Sequence, residues 1–298
     1  MSIRPSIRLG ALPRSLPLGA RLQIARDAGF EGIEAETGEA PAEALRAAAD
    51  AAGLIVHSVN CPENYTLPLS SPNPATRDAG IAATLAALET AHALGADSLL
   101  LIPGVVGADA SYGEVHARSR DVIRAAILPE AERLGIVLAV ENVWNGFLLS
   151  PFDCAHYVGG FDSPFVRLYF DVGNVIFGRP EGWIDIIGPL IVKLHLKDMR
   201  RWSGRTKSYR LARVGEGEID WVRLRAALDR ANFSGWAVMA EAEFVQPRLA
   251  YLAFMAARRL APNPASRLVE THLSRRLAQD SMRRFRRYAA PNCSESGA

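Results

Sequence analysis

Eight short apolar runs, each separated from the next by a longer amphipathic stretch, constrain the fold of this chain more than any other feature. The runs cover residues 6–9, 32–36, 54–59, 98–102, 136–141, 166–171, 191–196 and 236–241. Most are rich in Val, Ile and Leu and lack the strict alternation of a half-exposed strand, which is typical of parallel strands buried on both faces. The pattern therefore predicts eight parallel strands.

Helical patterns fill the stretches between these runs. Apolar residues recur at three- to four-residue spacing in residues 75–94, 113–134 and 220–231. A glycine precedes several runs, where it can end a helix in the left-handed conformation. Eight strand–helix units predict an α/β protein with a single (β/α)₈ TIM barrel. A doubly wound open sheet is the alternative, but no Gly-x-Gly-x-x-Gly motif follows the first run.

The charge divides the chain into two parts. Residues 258–298 contain nine Arg and three acidic residues, a net charge of +6, although the whole chain carries only +2. Residues 1–257 therefore carry −4, and an acidic body repels a phosphate backbone, so nucleic acid is not an expected partner. We predict a barrel domain over residues 1–260 and an Arg-rich extension over residues 261–298, helical at first and then disordered.

The extension allows two interpretations. Its helical pattern places five apolar residues on one side, which would pack on the barrel or on a second subunit; they are Leu268, Leu273, Leu277, Met282 and Phe285. A solvated basic arm that binds anions is the alternative.

Composition excludes several other classes of protein. No apolar run is long enough for a transmembrane helix, and the first residues are too polar for a secretory signal, so we expect a cytoplasmic protein. The three Cys are far apart in a chain of 298 residues. They form neither a disulfide framework nor a thiolate zinc motif.

Charged residues follow four consecutive runs at the edge where a barrel of this type carries its active site. Glu141, Asp171, His195 and Glu241 each come after apolar sequence, where a charge is costly unless it is paired or bound to a metal. Three carboxylates and one imidazole suit Mn²⁺, Mg²⁺, Co²⁺ or Zn²⁺. These residues predict one divalent metal site, and Glu243 is the alternative fourth ligand because it shares a strand face with Glu241.

Three further residues near the strand ends are candidates for contacts with a substrate. His57 and Glu34 lie in the third and second runs, and each could equally be a structural residue of the core. Lys197 stands out because the chain has only three Lys against 31 Arg. A Lys in so Arg-rich a chain indicates that Lys197 has a role that requires a compact, titratable ammonium group.

Four segments resemble the xylose-isomerase-like TIM-barrel superfamily. They read ENVWNGFLLSP at 141–151, FDVGN at 170–174, HLKD at 195–198 and GEGEIDW at 215–221. Within the superfamily, the chain is similar to the sugar phosphate isomerases and epimerases, in particular to the hexulose-6-phosphate isomerase and pentulose-5-phosphate 3-epimerase branch. The resemblance covers about residues 5–258 and leaves out the basic extension.

The resemblance implies roles for individual residues. The same four residues would be the metal ligands, and the two glutamates, Glu141 and Glu241, would also act as acid and base on opposite faces of the sugar. Asn174 would contact a substrate oxygen, and Arg201 would bind the substrate.

The predicted reaction is proton transfer at a carbon α to a ketose carbonyl, through a metal-stabilised ene-diolate. The product would be a 3-epimer or an aldose–ketose isomer. Asn142, Asn174 and Lys197 would orient hydroxyls or a phosphate, and Trp144 or Phe147 would cover the pocket. We expect an isomerase with one metal ion, Mn²⁺ first, a small sugar or sugar phosphate as substrate, and a homodimer or tetramer.

Three other functions are compatible with such a barrel. A dehydratase of a cyclic polyol or shikimate-type acid would use the same metal site. A metallo-endonuclease would need a three-metal cluster with many His, but only His57 and His195 of the six His lie in predicted strands. A non-catalytic binding barrel would not need the four predicted metal ligands. An assay for bound metal distinguishes it from a metal-dependent enzyme.

Overall fold

Eight parallel strands form a closed barrel in the computed structural model, which describes residues 2–203, 207–240 and 264–289. The strands are β1 Ile3–Arg8, β2 Gly32–Glu36, β3 Ile55–Asn60, β4 Ser98–Leu101, β5 Val137–Glu141, β6 Val166–Asp171, β7 Ile191–Leu196, β8 Asp198–Ser203, β9 Lys207–Ala212 and β10 Gly235–Met239. Strands β1 to β7 follow one another around the barrel, and β10 closes it between β7 and β1. The predicted (β/α)₈ barrel is confirmed.

Helices alternate with the strands and cover the barrel. They are α1 Leu18–Ala28, α2 Ala42–Ala52, α3 Glu63–Thr66, α4 Pro74–Leu94, α5 Tyr112–Val122, α6 Leu128–Leu134, α7 Pro151–Gly159, α8 Pro180–Ile187, α9 Trp221–Arg230 and α10 Pro264–Tyr288. A π-helical segment, Ile123–Ile127, joins α5 to α6, so the helical pattern at 113–134 is one continuous stretch. None of the described helices is long and apolar enough to cross a membrane.

Local sequence explains where these helices begin and end. Ser111 and Glu114 form a capping box at the start of α5, in which each side chain accepts a hydrogen bond from the backbone N–H of the other residue. Gly95 and Gly135 end α4 and α6 with φ of 73° and 71°. Because this left-handed conformation is strained for residues with a Cβ, glycine allows the chain to turn there into β4 and β5.

The core has two layers, one between the barrel and its helices and one inside the barrel. The inner layer consists of Leu100, Ile102, Ala139, Val143, Tyr169 and Val238. The members of this layer that lie in strands alternate with residues that face the helices, as the period of two requires. The inner layer fills the barrel, so a site can form only near its ends.

Two strand predictions differ from the structure at the ends of the barrel sequence. The first strand begins at Ile3 rather than at residue 6. The start was missed because Arg4 interrupts the apolar run. In the strand, Arg4 lies over the Trp236 ring at 3.8 Å and pairs with Glu31 at 2.9 Å. The last barrel strand, predicted over 236–241, ends at Met239, and Glu241 lies outside the described residues.

The β8–β9 hairpin after β7 was not predicted from the sequence. Its strands are rich in Arg and have no apolar run, because they lie outside the barrel. Asp198 anchors the hairpin and the loop beyond it. This buried carboxylate accepts hydrogen bonds from five donors: the backbone N–H groups of Met199, Gly215, Gly217 and Ile219, and Nε1 of Trp221.

The C-terminal helix α10 packs on the barrel domain. Met282 and Phe285, two of the five residues predicted for its apolar side, are buried in the same core as the barrel helices. Arg284 donates to the carbonyl of Val214 at 2.9 Å and pairs with Glu216 at 2.6 Å. These contacts favour the packed interpretation. The side chains of Leu268 and Leu273, the predicted boundary near residue 260 and the predicted disorder at 290–298 lie outside the described part of the chain.

Candidate active site

Three of the predicted metal ligands lie together where β5, β6 and β7 end. Glu141, Asp171 and His195 are buried, and one potential ligand atom of each lies within 4.8 Å of the others. Nδ1 of His195 is 2.8 Å from Oε1 of Glu141 and 3.8 Å from Oδ2 of Asp171. The three strands are neighbours, and Asp171 is paired with His195 in the register of β6 and β7, so the three side chains converge near the strand ends.

This donor set fits a divalent cation. Two carboxylate oxygens and one imidazole nitrogen are ligands that Mn²⁺, Co²⁺ and Zn²⁺ accept, and three protein ligands leave positions open for a substrate. The close approach of two buried carboxylates is costly without positive charge between them. Glu241 and Glu243 lie outside the described residues, so the fourth ligand stays a prediction.

A further buried carboxylate, Glu34 on β2, contacts the opposite side of the His195 ring. Both of its oxygens lie 3.1 Å from Nε2 of His195, and the Tyr169 hydroxyl donates to it at 2.5 Å. Burial by itself raises the pKa of Glu34, but His195 and Tyr169 lower it overall. Because Glu34 holds Nε2 of His195, it orients the imidazole with Nδ1 towards Glu141 and Asp171.

The same carboxylates determine the charge of His195. Burial alone lowers the pKa of this imidazole, but Glu34 and Glu141 raise it to about 10. In this arrangement of charges the ring is an imidazolium at neutral pH. A metal ion that binds Nδ1 takes the place of a proton there.

Lys197 contacts a proposed ligand directly. Its Nζ lies 2.7 Å from Oδ2 of Asp171, and the side chain is mostly buried at the edge of the site. The other carboxylate oxygen, Oδ1, accepts hydrogen bonds from the backbone N–H groups of Gly173 and Asn174 at 2.9 and 3.0 Å. Asp171 is therefore held from both sides.

Asn142 and Asn174 join the ends of β5 and β6. The Asn142 side chain donates to the carbonyl of Asp171 and accepts from its N–H, both at 2.9 Å. Asn174 Nδ2 donates to the Asn142 carbonyl at 2.9 Å, and Trp144 Nε1 donates to the Asn174 carbonyl at 2.6 Å. These bonds hold the two strand ends and the loop that carries Trp144 in one arrangement.

His57 and Arg201 make their described contacts away from the triad. His57 is buried, stacks on Trp236 at 4.5 Å and lies 2.7 Å from the Ser6 hydroxyl. Burial lowers its pKa well below the usual value, so the ring is neutral and has the contacts of a core residue. Arg201 is on the exposed hairpin, where its guanidinium contacts the Tyr209 hydroxyl at 3.3 Å.

Of the two residues proposed to cover the pocket, only Trp144 is exposed. Phe147 is buried in the helical layer, with its ring 5.2 Å from Tyr112 and 5.4 Å from Tyr157. Trp144 is 54% exposed and lies 5.9 Å from the ring of Phe177.

Two aromatic residues near the site were missed from the sequence. Tyr65 follows β3 on the short helix α3. Burial and the charge of Glu141 raise its pKa, and Lys197 acts in the opposite direction, so its hydroxyl lies among the charges of the site. Phe177 follows β6 and packs on Tyr209 at 4.6 Å. Residues in short helical turns such as these carry no periodic signal; only their position after a strand could have indicated them.

The comparisons with known proteins agree with the barrel fold. Residues 22–258 match the family model described as a xylose isomerase-like TIM barrel, which confirms the resemblance. The L-ribulose-5-phosphate 3-epimerase UlaE of Escherichia coli O1:K1 is 25% identical in an alignment of 247 residues, which covers 77% of this chain and 85% of that protein.

Two solved structures share the fold. A D-psicose 3-epimerase crystallised in the presence of D-fructose superposes with a TM-score of 0.73 at 18% identity, over 96% of this chain and 99% of that chain. The IOLI protein, solved with a bound zinc atom, gives a TM-score of 0.74 at 16% identity, over the same shares of the two chains.

Proposed function

The chain belongs to the xylose isomerase-like TIM-barrel family, and on that basis we propose that it is a divalent-metal-dependent isomerase of keto sugars. The proposed reaction moves a proton at a carbon next to the carbonyl. The buried triad of Glu141, Asp171 and His195 carries this proposal, because its donor atoms lie within 4.8 Å of one another at the carboxyl end of the barrel. The 3-epimerase named among the curated relatives supports the same class of reaction.

Each residue of the triad has a distinct proposed task. A divalent cation held by the triad would supply a Lewis acid for the carbonyl oxygen. Glu141 would remove the proton from the α carbon, since its carboxylate belongs to the buried triad that would hold the cation beside the substrate. Asp171 and His195 would hold the cation in place.

The second acid–base group is proposed to be Glu241, with Glu243 as the alternative. It would return a proton to the opposite face of the same carbon, which gives a 3-epimer. Return to the neighbouring carbon instead would give the aldose–ketose isomer.

Substrate contacts are proposed for residues around the triad. Lys197, whose Nζ is 2.7 Å from Oδ2 of Asp171, would contact a hydroxyl or a phosphate of the substrate. Asn174, whose backbone N–H donates to Asp171, would contact a substrate oxygen. Arg201 on the hairpin would bind an anionic end of the substrate. The substrate is then a small sugar or sugar phosphate. Mn²⁺ as the metal and a homodimer or tetramer as the assembly belong to the same proposal.

Exchange of the α proton with solvent tests the function. The protein is stripped with a chelator and incubated in D₂O with L-ribulose 5-phosphate, D-ribulose 5-phosphate or D-fructose, before and after Mn²⁺ is restored. We expect ¹H NMR to show loss of a C1 or C3 proton with at least one ketose in the restored protein and none in the stripped protein. Full exchange without metal, or failure of calorimetry to detect Mn²⁺ binding, would contradict the proposal.

A further inference from the structure

A large apolar cavity adjoins the triad between the loops that follow β5 and β6. Its volume is about 700 Å³. Trp144 and Leu149 line it from the β5 side, and Phe177 and Trp183 line it from the β6 side. Phe177 is 70% exposed and Trp144 is 54% exposed. Single exposed apolar residues are common, but several around one concave surface are typical of a binding site.

The cavity shares part of its wall with the candidate active site. Asn174 lines the cavity, and its backbone N–H donates to Oδ1 of Asp171 at 3.0 Å. Asn142 also lines it and holds the backbone of Asp171 through two hydrogen bonds. A ligand group in the cavity is therefore separated from a proposed metal ligand by a single residue.

The aromatic walls are held in place before any ligand binds. The indole N–H of Trp144 is already donated to the carbonyl of Asn174, which leaves its apolar ring faces for a ligand. Phe177 packs on Tyr209 at 4.6 Å. Ordered aromatic walls favour binding, because little conformational freedom is lost when a ligand arrives.

The charge of the lining and the volume of the cavity indicate which kind of ligand group fits it. The described side chains that line the cavity include no charged group, so the cavity does not suit a phosphate. Its volume lies in the range of about 300–1,000 Å³ that is typical of sites for drug-sized ligands. A free pentulose bound at the triad would not need this space.

We propose that the cavity binds an aryl or alkyl substituent carried by the keto sugar, at the end remote from the reacting carbonyl. The proposal rests on the proposed function, since it extends the substrate of the same site. It names the substrate class as a keto sugar with an apolar group.

The test compares how tightly the protein binds two sugars that carry either a benzyl or a methyl group on O5. The probes are 5-O-benzyl-D-ribulose and 5-O-methyl-D-ribulose, together with the pentitols made by reducing them, which have no carbonyl and cannot react. Calorimetry with the pentitols measures binding without catalysis. We expect the full-length protein to bind the benzyl pentitol about tenfold more tightly than the methyl pentitol.

Two phenylalanines of equal exposure provide the matched variants. Phe177→Ala should abolish the benzyl preference, because the ring lines the cavity. Phe152→Ala should retain it, because Phe152 is 69% exposed on the neighbouring helix α7 and does not line the cavity. Circular dichroism of both variants checks that they fold.

The outcomes separate the two proposals. Equal binding of the two pentitols by the unmodified protein, or equal loss of the preference in both variants, overturns the cavity assignment and leaves the proposed function intact. A benzyl preference without α-proton exchange in either 5-O-substituted ketose overturns the substrate assignment. Absence of exchange from all the ketoses tested refutes the proposed function as well. If Phe177→Ala instead yields a smaller species in size-exclusion chromatography, the cavity lies at an interface between copies of the chain, which also overturns the assignment.

Discussion

Replacement of Glu34 by Gln tests whether the buried carboxylate behind His195 supports metal binding. Both oxygens of Glu34 lie 3.1 Å from Nε2 of His195, and the side chain has no exposed surface. Gln has nearly the same shape but no charge, and only one of its terminal atoms can accept a hydrogen bond. Glu34→Gln therefore weakens the contact that orients the imidazole without creating a cavity.

The magnitude follows from this contact. A hydrogen bond to a charged group contributes about 1.5–3 kcal/mol, which corresponds to about 10- to 150-fold in a binding constant. Loss of a carboxylate partner of a metal-bound imidazole typically costs about 10- to 100-fold in metal affinity. The two routes agree, so we expect Glu34→Gln to weaken Mn²⁺ binding by about 10- to 100-fold.

Calorimetric titration of the stripped protein with Mn²⁺ is the assay, and Glu36→Gln is the control. Glu36 lies two residues further along β2, and its carboxylate pairs with Arg14 at 2.6 Å and Arg8 at 3.3 Å instead of His195. The control should bind Mn²⁺ like the unmodified protein. An unchanged Kd in folded Glu34→Gln, or an equal loss in Glu36→Gln, would refute the reasoning.

Three other substitutions test separate parts of the site. Glu141→Gln should slow α-proton exchange at least about 100-fold with an unchanged circular dichroism spectrum, because an amide cannot act as the base; a fully active variant would exclude this role. Tyr65→Phe should raise KM about 3- to 10-fold with kcat nearly constant if its hydroxyl binds the substrate, and steady-state kinetics with unchanged KM would exclude that contact. Asp198→Asn should destabilise the fold by about 3 kcal/mol in urea unfolding, since five donors face this buried carboxylate; a loss below about 0.5 kcal/mol would contradict its anchoring role.

The sequence predicts those strands whose two faces are both apolar. The bounds of β6 and β7 agree with the predicted runs to the residue, because each strand lies between the inner layer and the helices. The predicted start of β1 was wrong because Arg4 and Pro5 interrupt the apolar pattern after Ile3. The β8–β9 hairpin has no face inside the barrel, so its sequence shows no alternation of apolar and polar residues to detect.

The triad could be predicted from single strands, whereas the role of Glu34 could not. Each triad residue follows an apolar run and can be found by reading one strand at a time. Glu34 contacts His195 across the barrel, and the two residues are 161 positions apart. Which inward-facing side chains of β2 and β7 meet depends on the stagger of the closed barrel, and a single sequence without an alignment contains no information on that stagger.

The chemistry of this site is easier to predict from the sequence than its specificity, and the reason is energetic. A buried carboxylate costs several kcal/mol unless it has a partner, so Glu141 and Asp171 after apolar runs already imply a cation or a metal nearby. An exposed aromatic residue in a loop costs little, so Trp144 and Phe177 look like any other loop residues until the fold brings them together. The residues proposed to select one keto sugar from another are therefore found only once the loops after β5 and β6 are placed side by side.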